Sequence, residues 1–420
     1  MRLLYGFFLT LALPIAVLVT HWRAWRQTGS TDRWRDRLGF IQRTPPGRVI
    51  WVHAASLGEV QSAIPFVQAL RARYPHTHVL VSSFTAAGLK KLRMAFPEGV
   101  QLCLLPYDLS SFVKRFLNRA RPSCLIVIET EIWPNLFTEL GWRNVPIIFG
   151  SARLSEKSVR GYRFVGGLVR NCLRAVHMVI AQSDGDAERF KSLGMADNKV
   201  QIGGNLKFDL SIPESVHRQG GEIKSRLFNG RPVLIAASTR NGEEEFVLQA
   251  FKEIRGQYQN CLLVIVPRHP ERGETVAKLA AQQGFAYALR TEHDNGAAFD
   301  VFIVNTLGEL LPFYAAADVA FVGGSLVPVG GHNLIEPAAL GLPLLTGPHQ
   351  FNAPDVAAAL SETRGLHVVH NAAELAETAG LFLHDQSRRE QTGKALKTVI
   401  RENTGAVDKL LTLVDETLNT

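Results

Sequence analysis

Three positions in this 420-residue chain have the residue type and setting to do chemistry. The first is Glu59, which follows Ser56-Leu57-Gly58 just beyond the apolar run Val49–Ala54. A carboxylate that opens a helix at a strand end can act as general base on a hydroxyl if burial raises its pKa. A first-turn glutamate stabilised by the helix dipole is the plainer account of the same residue. The second is Glu129, where the apolar run Cys124–Ile128 enters Glu129-Thr130-Glu131-Ile132-Trp133-Pro134-Asn135. Two carboxylates at such a tip are costly unless hydrogen-bonded or functional. Capping and salt bridging account for one of them. The third is Lys207, within Gly203-Gly204-Asn205-Leu206-Lys207-Phe208-Asp209. It could neutralise charge developing on a leaving group, or be a surface lysine beside a turn.

A second set of residues suits a nucleotide. Gly330-Gly331-His332-Asn333-Leu334-Ile335-Glu336 follows the strand-like Val319–Val322 and the pair Gly323-Gly324. Glycines allow backbone N–H groups close to an anion, so they would face phosphate, and Glu336 would face a ribose diol. The alternative is a glycine-rich loop whose glutamate serves only the helix start. Arg268 and His269, after Leu262–Pro267, offer a fork for phosphate and a ring for a base. Ser238 to Glu245 carries hydroxyls and N–H groups suited to phosphate. The turn Gly308-Glu309-Leu310 can read a nucleobase edge through its backbone. No Walker A sequence, GxSxG or HExxH occurs. His332 and His349 could pair on a metal, but no metal site is expected.

These groups need elements to hold them. From Val49 onward, continuous apolar runs alternate with helical stretches such as Gly58–Arg73 and Ser110–Arg119. That alternation predicts parallel sheets covered on both faces. Strands are expected at 49–54, 78–83, 100–106, 123–129, 145–150, 176–182 and 200–203, then at 232–238, 262–267, 301–304, 319–322, 343–346 and 366–369. Between the two sets lies a polar stretch, 211–230, with Pro213 and three glycines, read as a linker. The four cysteines show no metal spacing and read as buried, reduced thiols. Net charge is +8, but residues 1–50 alone hold eight Arg against two Asp. A basic collar near one end, rather than a nucleic-acid-binding body, fits that distribution. Leu3–Thr20 is uncharged and His21-Trp22-Arg23-Ala24-Trp25-Arg26 follows it, the order of a membrane segment and its interface. The arginines downstream put the body on the cytoplasmic side. A spanning helix and one lying in the interface both remain open. Residues 153–174 hold six basic residues and Glu156, either a solvated face or one that meets acidic headgroups.

The chain resembles the bacterial 3-deoxy-D-manno-octulosonic acid (Kdo) transferases of lipopolysaccharide assembly. The stretches that carry the likeness are WVHAASLGEVQSAIP at 51–65, ETEIWPNL at 129–136, SARLSEKSVRGY at 151–162, GNLKFD at 204–209, STRNGEEE at 238–245, PRHPERG at 267–273, ADVAFVGGSLVPVGGHNLIEPAALG at 317–341 and GPHQFN at 347–352. The resemblance implies an α/β protein of the GT-B fold, two Rossmann-like doubly wound domains facing a central cleft, with an N-terminal membrane-associated helix. It implies CMP-Kdo as donor, no metal, and the tetraacylated lipid A precursor (lipid IVA) as acceptor at the inner membrane. Glu59 matches the family's general base, and Glu129 and Lys207 match transition-state positions. Arg268, His269, Gly308, Glu309, Leu310, Asn333, Leu334, Ile335 and Glu336 match the CMP site. Gly150-Ser151-Ala152-Arg153 departs from the family's frequent Asn-Ala-Arg. The expected division is an anchor at 1–22, a basic juxtamembrane segment at 23–48, an acceptor domain at 49–210, the linker, and a donor domain at 231–420 whose last helix can pack back on the acceptor domain. The rivals are a UDP-sugar transferase or epimerase of the same fold, and a membrane-anchored nucleotide-binding regulator.

Overall fold

A computed structural model describes residues 2–28, 33–210, 212–292 and 298–419. The chain forms two units, residues 1–209 with 403–420, and residues 210–402.

The first unit is built on a seven-stranded parallel sheet: β1 (Val49–His53), β2 (His78–Ser83), β3 (Gln101–Leu104), β4 (Cys124–Ile128), β5 (Ile147–Ala152), β6 (Val176–Ala181) and β7 (Val200–Ile202), in the order β3-β2-β1-β4-β5-β6-β7. Every residue of β1 and β4 is buried. Helices on both faces leave those strands no polar side, hence their unbroken apolar sequences. The strand order reverses between β1 and β4, so the loops after these two strands flank the point where such sheets bind ligands. The helix Ala406–Asn419 belongs to this unit; its Leu410, Leu413 and Val414 enter the core with Ile126 and Ile148. Asp209 fixes its start, accepting from the N–H groups of Gly405 and Val407.

In the second unit the strands are β8 (Val233–Thr239), β9 (Leu262–Pro267), β10 (Tyr287–Leu289), β11 (Val301–Ile303), β12 (Val319–Val322), β13 (Leu344–Thr346) and β14 (Leu366–Val368), ordered β10-β11-β9-β8-β12-β13-β14 and all parallel. Its reversal falls between β8 and β12.

Three expectations change. The helix at the N-terminus runs Arg2–Thr28, beyond the expected anchor limit of 22. The segment expected as a basic collar is built into the first unit. Asp36 and Arg37 are buried there, Asp36 accepting from the N–H of Leu104 and Arg37 donating to the carbonyls of Leu105 and Phe84. The expected linker is largely helical, Glu214–Glu222 followed by a π-turn at Ile223–Leu227, with Gly220 lying directly against Ala315. Ser211 of that linker lies outside the described residues. Leu4–Arg26 is long and apolar enough to cross a membrane.

Candidate active site

The first unit gathers Glu59, Glu129 and Lys207 at the carboxyl ends of β1, β4 and β7. Ser56 caps the helix Leu57–Arg73 by accepting from the Glu59 N–H at 3.2 Å. Glu59 answers with both oxygens, Oε2 accepting from the Ala55 N–H at 2.8 Å and Oε1 from the Ser56 hydroxyl at 2.9 Å. This is a variant of the capping box, closed on the N–H of the residue before the cap, so a structural role for Glu59 is present. It does not use up the residue. Burial is the largest influence and raises the Glu59 pKa above the usual carboxylate value, with the charges of Glu129 and Glu131 adding to it; the two hydrogen bonds only partly oppose this.

Glu129 sits in the left-handed region at φ 60° and donates its N–H to the Gly150 carbonyl at 2.9 Å. A non-glycine residue in that region costs about 1–3 kcal/mol and must be held there by its surroundings. Its Oε1 accepts from Lys207 Nζ at 2.9 Å. Lys207 is aimed by two further contacts: the Asn205 side chain accepts from the Lys207 N–H, and the Ser151 hydroxyl accepts from the Leu206 N–H at 3.2 Å. Ser151 itself has φ 53° and lies in a register irregularity of β5, which carries the strand to Ala152 rather than ending at Gly150. The departure at position 151 thus bears on the loop that holds Lys207. Behind these groups His53 is buried, its Nδ1 bonded to Ser82 Oγ at 2.8 Å and its Nε2 facing Glu131 Oε2 at 3.7 Å. Glu131 also accepts from the Trp133 indole, so the second carboxylate of the pair is a partnered one.

In the second unit the glycine loop does not do what its sequence suggests. The N–H groups of Gly324, Ser325 and Leu326 all donate to the carboxylate of Glu243, at 2.7–2.9 Å. The Gly323 N–H goes to the Ala237 carbonyl and the Gly331 N–H to the Gly324 carbonyl. A fully buried carboxylate from the protein itself occupies this nest, where a phosphate was expected. The glycines are required by space: a Cβ on Gly323 would stand 2.8 Å from Glu243 Oε2 and 2.9 Å from Thr239 Cα. The helix that follows, Ile335–Leu340, spans six residues and contributes a weak dipole.

Positive charge gathers instead at the ends of β8 and β9. Arg240 donates from Nε to His332 Nε2 at 3.3 Å and from Nη1 to His269 Nε2 at 2.9 Å, while Arg268 is exposed beside them. Burial first, and then the charges of Arg240 and Arg268, push the His332 pKa down to about 4, so its ring is neutral. Arg240 and His332 lie in stretches read as suited to a nucleotide, but neither was among the residues matched to the CMP site. The sequence signal for Arg240 was its place beyond a buried strand; nothing in the sequence paired it with His332. Elsewhere, the Glu309 carboxylate is engaged by Arg290 at 2.9 Å and by the Thr306 hydroxyl, which lowers its pKa, and the Glu309 carbonyl accepts from the Phe313 N–H, so Glu309 opens the helix Leu310–Ala315. Leu334 and Ile335 bury their side chains in the core, so only their main chain can meet a nucleotide. Asn333 is exposed and accepts from the Ile335 N–H, and Glu336 is half-buried close enough to Tyr314 to raise the pKa of its phenol further.

Comparison with known proteins fits this arrangement. Residues 233–399 match the model for glycosyl transferases group 1. Over 89% of the chain and 99% of its own, a crystal structure of a glycosyltransferase from Rickettsia africae superposes with TM-score 0.56 at 13% identity, a likeness of fold. A putative UDP-N-acetylglucosamine 2-epimerase from Listeria monocytogenes shares that fold at TM-score 0.57 and 12% identity, over 89% of this chain and 97% of its own. The class these define is a GT-B-like fold with a parallel α/β sheet in each unit. Residues 32–210 match the family model for 3-deoxy-D-manno-octulosonic-acid transferase. A 3-deoxy-D-manno-octulosonic acid transferase of Haemophilus influenzae is 37% identical over 91% of both chains, and one of Bordetella pertussis 34% identical over 97% of this chain and 98% of its own. The chain belongs to the Kdo transferase family, the lipopolysaccharide-assembly family that its motifs resemble.

Proposed function

We propose that this enzyme transfers Kdo from CMP-Kdo to the tetraacylated disaccharide bisphosphate precursor of lipid A, with inversion at the anomeric carbon and Glu59 as general base. The observation that carries this reading is the Glu59 carboxylate itself. It stands at the switch point of the first sheet, oriented by two hydrogen bonds, with its pKa raised by burial. Glu59 takes the proton of an acceptor hydroxyl as that oxygen bonds to the anomeric carbon. The bond from that carbon to the CMP phosphate oxygen breaks, and CMP leaves with the electron pair. The sugar passes through an oxocarbenium-like state. The Glu129–Lys207 pair, fixed at 2.9 Å, supplies both signs of charge for it.

Donor binding falls to the second unit. Arg268, Arg240 and His269 suit the phosphate, the backbone of 308–310 the base edge, and Asn333 and Glu336 the ribose. No metal takes part, so transfer should persist undiminished in EDTA. The helix Arg2–Thr28 holds the enzyme on the cytoplasmic face of the inner membrane. It lies along the bilayer rather than through it, since Tyr5 bonds to Asp108 and Thr20 to Tyr107. These contacts are about 22 Å apart at ~1.5 Å per residue. The deciding experiment gives purified enzyme lipid IVA and CMP-Kdo and weighs the lipid product. Kdo-sized additions that vanish with Glu59→Ala are expected. Transfer from UDP-sugars, or full activity in the variant, would overturn the assignment.

A further inference from the structure

The carboxyl-end rim of the first sheet holds a cavity of about 170 Å³ beside the anchor helix. Ala24 of that helix, Phe84 and Ala86 after β2, and Leu104 and Tyr107 at the end of β3 line it. Arg37 also lines it, but its guanidinium is already committed. It stacks 4.4 Å from the centre of the Phe84 ring and donates to the Leu105 carbonyl, and burial drives its pKa down to about 10. Arg23, by contrast, lines the cavity and is exposed. Thr20, His21 and Thr85 line it as well, so aromatic and aliphatic surface makes up only part of the wall.

Phe84 links this cavity to the candidate chemistry. Its ring stacks on Trp133 with centroids 5.3 Å apart, and the Trp133 indole donates to Glu131 Oε2 at 2.9 Å. One aromatic pair therefore separates the cavity from the loop that carries Glu129. On its other side, the anchor helix presents a bare apolar face in which Leu4, Phe7, Leu11, Ile15, Leu18 and Trp22 recur at helical spacing. An acyl chain leaving a membrane under that face would meet the cavity next, and then the carboxylates.

We propose that the cavity seats the end of one acyl chain of the lipid acceptor, so that the enzyme measures its substrate by tail as well as by sugar. This rests on the acceptor named above and assigns it a subsite. The volume admits a short run of methylenes, not a whole chain. Each methylene displaced from the cavity should raise KM roughly fourfold.

The test fills the cavity from two sides, with Ala24→Phe and, separately, Ala86→Leu. KM and kcat are measured on the tetraacylated disaccharide bisphosphate and on the same disaccharide stripped of its chains. We expect KM for the acylated acceptor to rise about tenfold or more, with kcat unchanged and both constants for the stripped acceptor unchanged; the latter also shows that each variant folds. An unaltered KM for the acylated acceptor, or an equal rise for both, overturns the proposal. A second readout needs no transfer. The tetraacylated disaccharide carrying a diazirine at a chain end is photolysed on the wild-type enzyme. Label on the peptides holding Phe84 and Tyr107, lost in Ala24→Phe, supports the subsite. Label confined to the outer face of the anchor helix, or abolished by excess phosphatidylglycerol, overturns it. If wild-type enzyme fails to glycosylate the acylated disaccharide, the acceptor assignment falls, while the labelling still decides whether the cavity takes a chain.

Discussion

The Glu59 carboxylate receives two hydrogen bonds that pull its pKa down, yet burial and two neighbouring acids push it up by more. Replacing it with Gln leaves an acceptor for the capping box and removes the base. Transfer should fall by about 10²–10⁴-fold with little change in Tm, checked by lipid-product mass spectrometry beside a thermal melt. Because the base works ionised, kcat/KM should fall on the acid side of a pKa above the ordinary glutamate value. Glu131→Gln removes one repelling charge, so that acid limb should move to lower pH; a limb that stays put would mean that another group titrates there. His332 behaves oppositely. Its folded pKa of about 4 lies below the unfolded value near 6.5, so the unfolded chain binds the extra proton between them. Stability should decline as pH falls from about 6.5 towards 4, and His332→Asn should flatten that part of a Tm-against-pH curve. Glu59 and Glu129 stood out in the sequence because each follows an apolar run, and Lys207 because it lies in a glycine-rich turn. The Arg240–His332 contact was not, since 92 residues separate the partners and only the adjacency of β8 and β12 joins them.

Among elements, long buried strands announce themselves. β9 and β12 occupy the ranges their apolar runs predict, because both faces of a parallel sheet are covered. β10 was missed: it is three residues long, at a sheet edge, with Tyr287 exposed. Composition suggested a basic juxtamembrane segment at 23–48 and a linker at 211–230, but Asp36 and Arg37 are buried with backbone partners that a sequence does not display. The glycine loop misled for a related reason. Its N–H groups fit an anion, and the anion is Glu243. Glu243→Gln would leave an amide among donors that need a carboxylate, at a cost of about 2–4 kcal/mol. A drop in Tm together with weaker CMP-Kdo binding by calorimetry is the expected outcome. Unchanged donor affinity would detach that loop from the donor site.

At the scale of the whole chain, net charge and exposed apolar residues gather in the N-terminal stretch. Residues 1–50 carry a net +6 of the total +8, and the bare face of the first helix adds Phe8 and Trp25 to the apolar residues already named. Apolar burial and attraction to acidic lipid should act together in membrane binding, each sufficient only for weak attachment. Phe7→Ser with Leu11→Ser and Ile15→Ser should therefore release the enzyme from vesicles of phosphatidylglycerol and phosphatidylethanolamine. High salt should weaken the wild-type enzyme's hold without abolishing it. Orientation is separable from affinity. A helix lying in the interface keeps Tyr5 against Asp108 and Thr20 against Tyr107, and holds both Leu4 and Trp22 at shallow depth. A helix crossing the bilayer must break those contacts and carry its middle, near Leu11, to the centre of the membrane. Single cysteines at positions 4, 11 and 22, labelled with an environment-sensitive dye, can be probed with lipids brominated at graded depths. Equal, shallow quenching at all three positions is expected. Deep quenching at 11 with shallow quenching at 4 and 22 would make the helix a span, and would take the cavity beside it away from the reach of an acyl chain.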